Sequence, residues 1–200
     1  MFKPVIVTFN KPVGYVVSKS DKHNKTVFDI LPKSWKDDFY YIWRLDKNSN
    51  WLLLLTNVPE LVNEIEHPSK WVLKIYEVEI DKPFKTYYRE KFRKWVIVTE
   101  DWELIKDKDL KNDKFKWVPR DLLKVFDIHY QRDRKWRHIL RVVLEYWKKR
   151  HIRRMLKAFW YRVKALTRIK HGKYELGRLK PGQYRIYPLK WRPWKKTNVI

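Results

Sequence analysis

The chain has 200 residues, 44% of them hydrophobic, which is enough to bury a sizeable core in one domain or two tightly joined lobes. Its 47 Lys and Arg against 23 Asp and Glu give a formal net charge of +24, which predicts a polyanionic partner, nucleic acid first. The absence of cysteine excludes disulfides, the lack of a long uncharged apolar run excludes a membrane span, and six scattered histidines predict no metal site.

The first third of the chain has apolar runs bounded by turn residues. Strands are predicted at 4–9, at 15–18 and on both sides of a polar bend at 46–50. A short helix is predicted at 26–31, and a second from Asn57, a capping residue, to about Glu66. Asp46 is therefore expected on a loop between two strands.

The remainder alternates strands and helices, with an irregular stretch up to Pro119. Strands are predicted at 72–80, 95–105 (a hairpin), 122–130, 138–146, 162–169 and 183–187, and helices at 86–94 and 148–160. Alternation along 72–80 places Lys74 and Tyr76 on one strand face. The last helix has an apolar stripe at i, i+3, i+4 and i+7 and an otherwise basic surface.

Strands interrupted by a few helices predict an α+β fold, a mixed, mostly antiparallel sheet with packed helices and a central basic cleft. The stretch 131–170 carries fifteen Lys and Arg against Asp133 and Glu145, so its helix is expected to edge that cleft. The alternative is a solvated lysine-rich face. One catalytic domain is expected over residues 1–190, followed by a basic tail at 191–200.

Asp46 is the candidate for chemistry. A lone carboxylate can act as nucleophile or electrostatic stabiliser at a sugar C1′, whereas hydrolytic glycosidases normally use two carboxylates. No second carboxylate stands out near it in the sequence, which favours rearrangement over hydrolysis. The alternative interpretation of an Asp after Arg-Leu is a turn residue or a helix cap.

Four segments, in this order, resemble the RsuA-type pseudouridine synthases, which modify uridines in ribosomal RNA. They are FNKPVGYVV (9–17), RLDKNSNWLLLLTN (44–57), KIYEVEI (74–80) and the closing stretch that begins KKRHIRRMLKAFW (148–160). The resemblance spans about residues 5–187. An S4-type RNA-binding domain, which many of these enzymes carry before the catalytic domain, is not found in the sequence, so the chain is similar to the short, RluE-like members.

The resemblance implies that Asp46 is the nucleophile, that Tyr76 stacks on the uracil and could take its C5 proton, and that Arg153 pairs with Asp46. The residues expected to bind substrate are Lys11, Arg44, Lys74, Arg154, Leu166 and Arg168. No cofactor and no metal are needed. The resemblance further implies an RNA substrate, a monomeric state, a cytoplasmic location and no membrane partner.

Each of these roles has an alternative, and so does the function. Tyr76 and Leu166 could fill the core, and Arg153 could be one more phosphate contact. A non-catalytic basic RNA-binding protein on the same scaffold, or a general DNA-binding protein, would also explain the charge.

Tryptophan stands at positions 43, 51, 147 and 160, where the family pattern has glycine, and the chain has twelve Trp beside four Gly. If these sites need a positive φ, each tryptophan costs on the order of 1 to 3 kcal/mol. Trp43 and Trp51 flank the Asp46 loop, so the fold could persist while catalysis does not. A redesigned chain and a divergent natural one both remain open.

Overall fold

The computed structural model describes residues 3–44, 46–47, 50–66, 72–99, 102–106 and 120–190. The strands are β1 (Val5–Lys11), β2 (Tyr40–Ile42), β3 (Trp51–Thr56), β4 (Lys74–Ile80), β5 (Val96–Thr99), β6 (Leu104–Ile105), β7 (Arg120–Leu123), β8 (Asp127–Arg132), β9 (His138–Leu144), β10 (Val163–His171), β11 (Tyr174–Glu175) and β12 (Tyr184–Pro188). The α-helices are α1 (Trp35–Asp38), α2 (Pro59–Glu66), α3 (Arg89–Arg93) and α4 (His151–Ala158), with 3₁₀ turns at Val27–Asp29 and Thr86–Tyr88.

The first sheet has four strands in the order β12-β1-β3-β2. All six residues of β3 are buried, because both faces of the sheet are covered. Leu53 and Leu55 pack with Trp35 and Phe39 on one face. Leu52 and Leu54 pack with α2 on the other. The uninterrupted apolar run is therefore a strand buried on two sides and not an alternating one.

The second sheet has five strands in the order β11-β10-β4-β9-β8, and the third has three in the order β6-β5-β7. A single large core lies between them and includes α4, whose Ile152, Met155 and Leu156 are each 1 to 2% exposed. These residues recur on one side of the helix, as the sequence predicts. This core and the first sheet meet around β3, β4 and β10, the region that holds the candidate site.

The α+β fold class is confirmed, and every strand ladder in the described ranges is antiparallel. An isolated bridge between Val16 and Thr26 is parallel. None of the helices in the described segments is long and apolar enough to cross a membrane. The irregular stretch before Pro119 and the tail at 191–200 lie outside the described residues.

Two strand predictions are wrong. The segment 15–18 forms only the bridge at Val16, whose N–H and C=O bond to Lys25 and Val27, so no neighbouring strand extends it. The predicted strand 122–130 is divided between β7 and β8, which belong to different sheets. The break comes where Val125 donates its N–H to the carbonyl of Phe92, 2.9 Å away, and the chain crosses from one sheet to the other.

Candidate active site

Asp46 lies on the loop between β2 and β3 and is exposed, as the sequence predicts. The loop is anchored by the end of β1. The buried Lys11 donates from Nζ to the carbonyl oxygens of Pro12 (3.0 Å) and Lys47 (3.2 Å). The Gly14 N–H also donates to the Lys47 carbonyl, at 2.9 Å. The backbone next to the carboxylate is thus fixed by hydrogen bonds from an adjoining segment.

Two cations lie within electrostatic range of Asp46. Burial lowers the pKa of Lys11 to about 8, and the Asp46 charge opposes that shift. Burial likewise lowers the pKa of Arg153, and Asp46 again raises it. No ion pair within 4.0 Å joins Asp46 to Arg153 in the part of the chain that the structure describes. Arg153 instead donates to the Val163 carbonyl at 3.4 Å, so the two charges interact through space.

Tyr76 is 1% exposed and sits among aromatic rings. Trp147 stacks on it, with ring centroids 5.2 Å apart and an angle of 25° between the planes, and Trp51 meets it edge-on at 5.1 Å. Burial raises the pKa of Tyr76 to about 12, although the charge and a hydrogen bond of Arg168 act in the opposite direction. One face of the tyrosine, where a uracil is expected, therefore carries an indole.

Arg168 lies opposite Tyr76 on the neighbouring strand β10 and is 1% exposed. Its Nε and Nη2 donate to the Leu52 carbonyl at 3.0 and 2.7 Å, which links β10 of the second sheet to β3 of the first. The guanidinium also lies over the Trp51 ring, at 5.7 Å. The prediction that Arg168 contacts a phosphate is therefore corrected. The buried side chain instead holds two strands of the site together.

Lys74 follows the same pattern at the start of β4. It is 6% exposed, donates from Nζ to the Glu145 carbonyl at 3.3 Å and lies 5.5 Å from the centre of the Trp43 ring. Burial lowers its pKa to about 8, and the charge of Arg168 lowers it further. The shared strand face of Lys74 and Tyr76 is confirmed by the alternating burial of β4.

The remaining predicted site residues lie in different parts of the structure. Arg44 is exposed on the same loop as Asp46, two residues before it. Leu166 is 4% exposed in the main core, opposite Val78, as the core interpretation expects. The prediction that Arg154 binds substrate is wrong. Arg154 is 6% exposed and forms an ion pair with Asp121, and its Nη2 donates to the carbonyls of β5. Helical geometry turns it toward the third sheet, away from Arg153.

A basic cavity of about 410 Å³ adjoins the site on the side of α4. It is lined by four cationic residues and one carboxylate, together with aromatic and apolar side chains: Arg150, Arg153, Lys157, Arg162, Asp81, Trp102, Trp160, Tyr161 and Val163. Arg153 thus lines this cavity and also interacts electrostatically with Asp46. The cavity lies beside α4, where the sequence predicts the edge of a basic cleft. Its four cations could bind a phosphate backbone.

His171 is a site residue that the sequence does not predict. It is 1% exposed, and burial followed by the charges of Arg168 and Lys74 lowers its pKa to about 2. Strict alternation from Leu166 and Arg168 would bring residue 170 inward. A bulge between Arg168 and Lys170 shifts the register, so that His171 enters instead.

Stability is expected to fall as the pH decreases from 8 to 5, because the folded state keeps His171 neutral while the unfolded state protonates it near its ordinary pKa of 6.5. The stabilisation is complete above 6.5 and is lost below it, by about 2 kcal/mol at pH 5. His151, whose pKa is lowered to about 4, acts in the same direction. Urea unfolding of the chain and of His171→Leu at both pH values should show that the substitution removes about half of this decline; an unchanged decline contradicts it.

The profile of a family described as RNA pseudouridylate synthase matches residues 5–158. Among curated proteins, an uncharacterized RNA pseudouridine synthase of Rickettsia typhi is 32% identical over 187 residues, which cover 92% of this chain and 66% of the relative. The ribosomal large subunit pseudouridine synthase B of Buchnera aphidicola is 29% identical over 187 residues, 90% of this chain and 64% of that protein. The chain thus spans slightly less than two thirds of the length of these two relatives.

Among solved structures, a crystal structure of a pseudouridylate synthase superposes with a TM-score of 0.72. The superposition covers 94% of this chain and 71% of that one, at 19% sequence identity. At this identity the likeness concerns the fold. It agrees with the three antiparallel sheets and few helices described above.

Proposed function

Since the chain belongs to the RNA pseudouridine synthase family, we propose that it isomerises a uridine in ribosomal RNA to pseudouridine, with Asp46 as the nucleophile. The observation that carries the assignment is the position of the Asp46 carboxylate, which is exposed on an anchored loop and senses both Lys11 and Arg153. A carboxylate oxygen is a nucleophile that can attack carbon, and the two cations place it in a positively charged part of the site. The proposal covers one catalytic domain over residues 1–190, acting as a cytoplasmic monomer.

The reaction is an internal rearrangement and needs no cofactor. In one route the carboxylate attacks C1′ as the bond from C1′ to N1 breaks; in another, proton loss from the sugar gives a glycal. The freed uracil turns and its C5 bonds to C1′ as the carboxylate leaves C1′, or as the glycal regains its proton; the C5 proton is lost and N1 gains one, so that product and substrate have the same atoms. Removal of the nucleotide from its stack costs a few kcal/mol, which contacts in the site must offset.

The role of Tyr76 in this proposal is stacking. With a pKa of about 12 the phenol stays protonated at neutral pH, so it is a poor acceptor for the C5 proton. Its flat ring suits a planar base, and in this chain the Trp147 indole is stacked on one of its faces. The basic cavity beside Arg153 would hold the flanking phosphates.

The large-subunit ribosomal substrate is supported by the name of the Buchnera relative. A second function, a non-catalytic RNA-binding protein, is favoured by the indole of Trp147 on Tyr76, which takes the place of a base. The two functions differ in their product. Incubation with ribosomal RNA transcripts, followed by carbodiimide treatment and primer extension, should show stops at defined uridines that Asp46→Asn abolishes.

Tight binding without any stop, unchanged by Asp46→Asn, would support the binder instead. RNA binding is compared with binding of duplex DNA at matched salt, because phosphate contacts dominate both affinities. A preference for duplex DNA contradicts both RNA functions.

The adjacent arginines of α4 provide a matched pair for a further prediction. Arg153→Met removes a cation that Asp46 senses and should lower the rate about 10- to 100-fold with little change in stability. Arg154→Met removes the buried arginine that pairs with Asp121 and donates to the carbonyls of β5, while Lys148 still pairs with Asp121 at 2.8 Å, and it should lower the free energy of unfolding by about 1 to 3 kcal/mol. Single-turnover rates and urea unfolding of both variants test this. Interchanged effects would contradict the assignment of Arg153 to the site and Arg154 to the core.

A further inference from the structure

Tryptophan occupies left-handed backbone positions in this chain. Among the described residues, five that are not glycine have a positive φ: Trp43 (74°), Trp102 (74°), Trp136 (59°), Trp160 (65°) and Arg150 (53°). All four glycines have positive φ as well, between 56° and 93°. Asn and Asp are the residues that tolerate this region best after glycine, and bulky side chains are outliers there. Four indoles at such positions therefore indicate a systematic cause.

Trp160 stands at the glycine position of a standard helix end. After α4, the N–H of Trp160 donates to the Lys157 carbonyl at 2.8 Å and the N–H of Tyr161 to the Leu156 carbonyl at 2.9 Å. This pair of bonds defines a Schellman motif, in which the residue after the cap is left-handed and is usually glycine. The Trp160 side chain is 84% exposed, so packing does little to compensate for its strained backbone.

Trp102 and Trp136 occupy equivalent positions in two hairpin turns. In the first, Trp102 N–H donates to the Thr99 carbonyl and Thr99 N–H to the Glu103 carbonyl, both at 3.0 Å. In the second, the same two bonds join Trp136 to Asp133 (3.0 Å) and Asp133 to Arg137 (3.2 Å). A turn of this kind ends in a left-handed residue for which glycine is favoured. Trp136 is 75% exposed.

Trp51 and Trp147 differ, since their φ values are not positive, but both crowd Tyr76. Trp51 is 1% exposed, and its indole Nε1 finds no acceptor among the residues that the structure describes. A buried tryptophan usually pairs this N–H, and leaving it unpaired is costly. The two indoles meet at 5.4 Å and, with Tyr76, fill the place where the proposed function needs a base.

We infer that the functional form of this chain has glycine at positions 43, 102, 136 and 160, and also at 51 and 147, where loss of the two indoles opens a base-binding site on Tyr76. The second half rests on the proposed function. A single cause would serve all six positions: the codon UGA is read as tryptophan in some genetic codes and as glycine in others. Trp35 is a genuine tryptophan by contrast, since it is buried in α1 and stacks on Phe39 at 4.5 Å.

The backbone half is tested by unfolding. Trp136→Gly and Trp160→Gly should each shift the unfolding equilibrium toward the folded state by about 5- to 30-fold. Trp136→Ala and Trp160→Ala should gain much less, because alanine keeps the Cβ that the left-handed region disfavours. Trp35→Gly is the matched control and should lose stability. Equal gains for alanine and glycine, or none for either, overturn the inference.

The site half is tested in a variant with glycine at all six positions. Primer-extension stops on ribosomal RNA should be at least ten times more frequent than for the tryptophan chain, and uridine 5′-monophosphate should quench Tyr76-dependent fluorescence only in that variant. Faster turnover by the tryptophan chain overturns the open site. Nucleotide binding without product would support the site and contradict the proposed function, so the two failures are distinct.

The cause is tested in the gene and in the native protein. Positions 43, 51, 102, 136, 147 and 160 should be encoded by UGA, and Trp35 by UGG. Mass spectrometry of peptides from the protein made in its own host should find glycine at these six positions. Tryptophan in those peptides overturns the inference.

Discussion

Asp46→Asn is expected to lower the rate of pseudouridine formation by a factor on the order of 10³ or more, because an amide cannot replace a carboxylate as nucleophile. The two side chains have nearly the same shape, and Asp46 is exposed, so the fold should be unaffected. Single-turnover assays are made in whichever form turns over faster, the tryptophan chain or the six-glycine variant.

RNA affinity gives this prediction a second readout. Asp46 is a negative charge near Lys11 and Arg153, so its removal should leave affinity equal or slightly tighter. Asp37→Asn, at an exposed position in α1, is the matched control and should change neither rate nor affinity. If Asp46→Asn retains more than a tenth of the rate, the carboxylate is not the nucleophile.

Arg168→Met is expected to lower the free energy of unfolding by about 3 to 5 kcal/mol. The substitution removes both hydrogen bonds to the Leu52 carbonyl and leaves that oxygen buried without its donor. Arg168→Lys should recover only part of the loss, because one ammonium cannot reproduce the two donors of the planar group. Urea unfolding at pH 7 measures both.

Lys164→Met is the control for Arg168, since Lys164 is an exposed residue of the same strand. It should change the free energy of unfolding by no more than about 0.5 kcal/mol. If Arg168→Met is no more harmful than Lys164→Met, the link between the two sheets contributes little, and the account of Arg168 as an internal support is wrong.

Local sequence patterns predict those helices and strands that are determined by the residues within them. The apolar run of β3, the alternation of β4 and the stripe of α4 are each visible within about ten residues, and each is found. The same locality places Asp46 between two strands. These features depend on which residues face the core, and a short periodic segment contains that information.

Features that depend on distant partners are not predictable in this way. The segment 15–18 is as apolar as a strand but lacks a neighbour, and the bulge that turns His171 inward has no local signature. Arg154 resembles its neighbour Arg153 in sequence, and only partners in distant strands, Asp121 and the carbonyls of β5, distinguish them. The positive φ at Trp102 and Trp136 also depends on hairpins that the pattern of side chains reveals only roughly.

The pairing of β12 with β1 sets the order in which this molecule can assemble. Val5 lies opposite Pro188 and Phe9 opposite Tyr184, so β1 cannot complete its pairing until a strand far later in the sequence has been synthesised. Contacts so distant along the chain slow folding, and until they form, one edge of β1 is open to pairing with other chains. Slow, post-translational completion of the first sheet and a need for protection from aggregation in the meantime are the consequences.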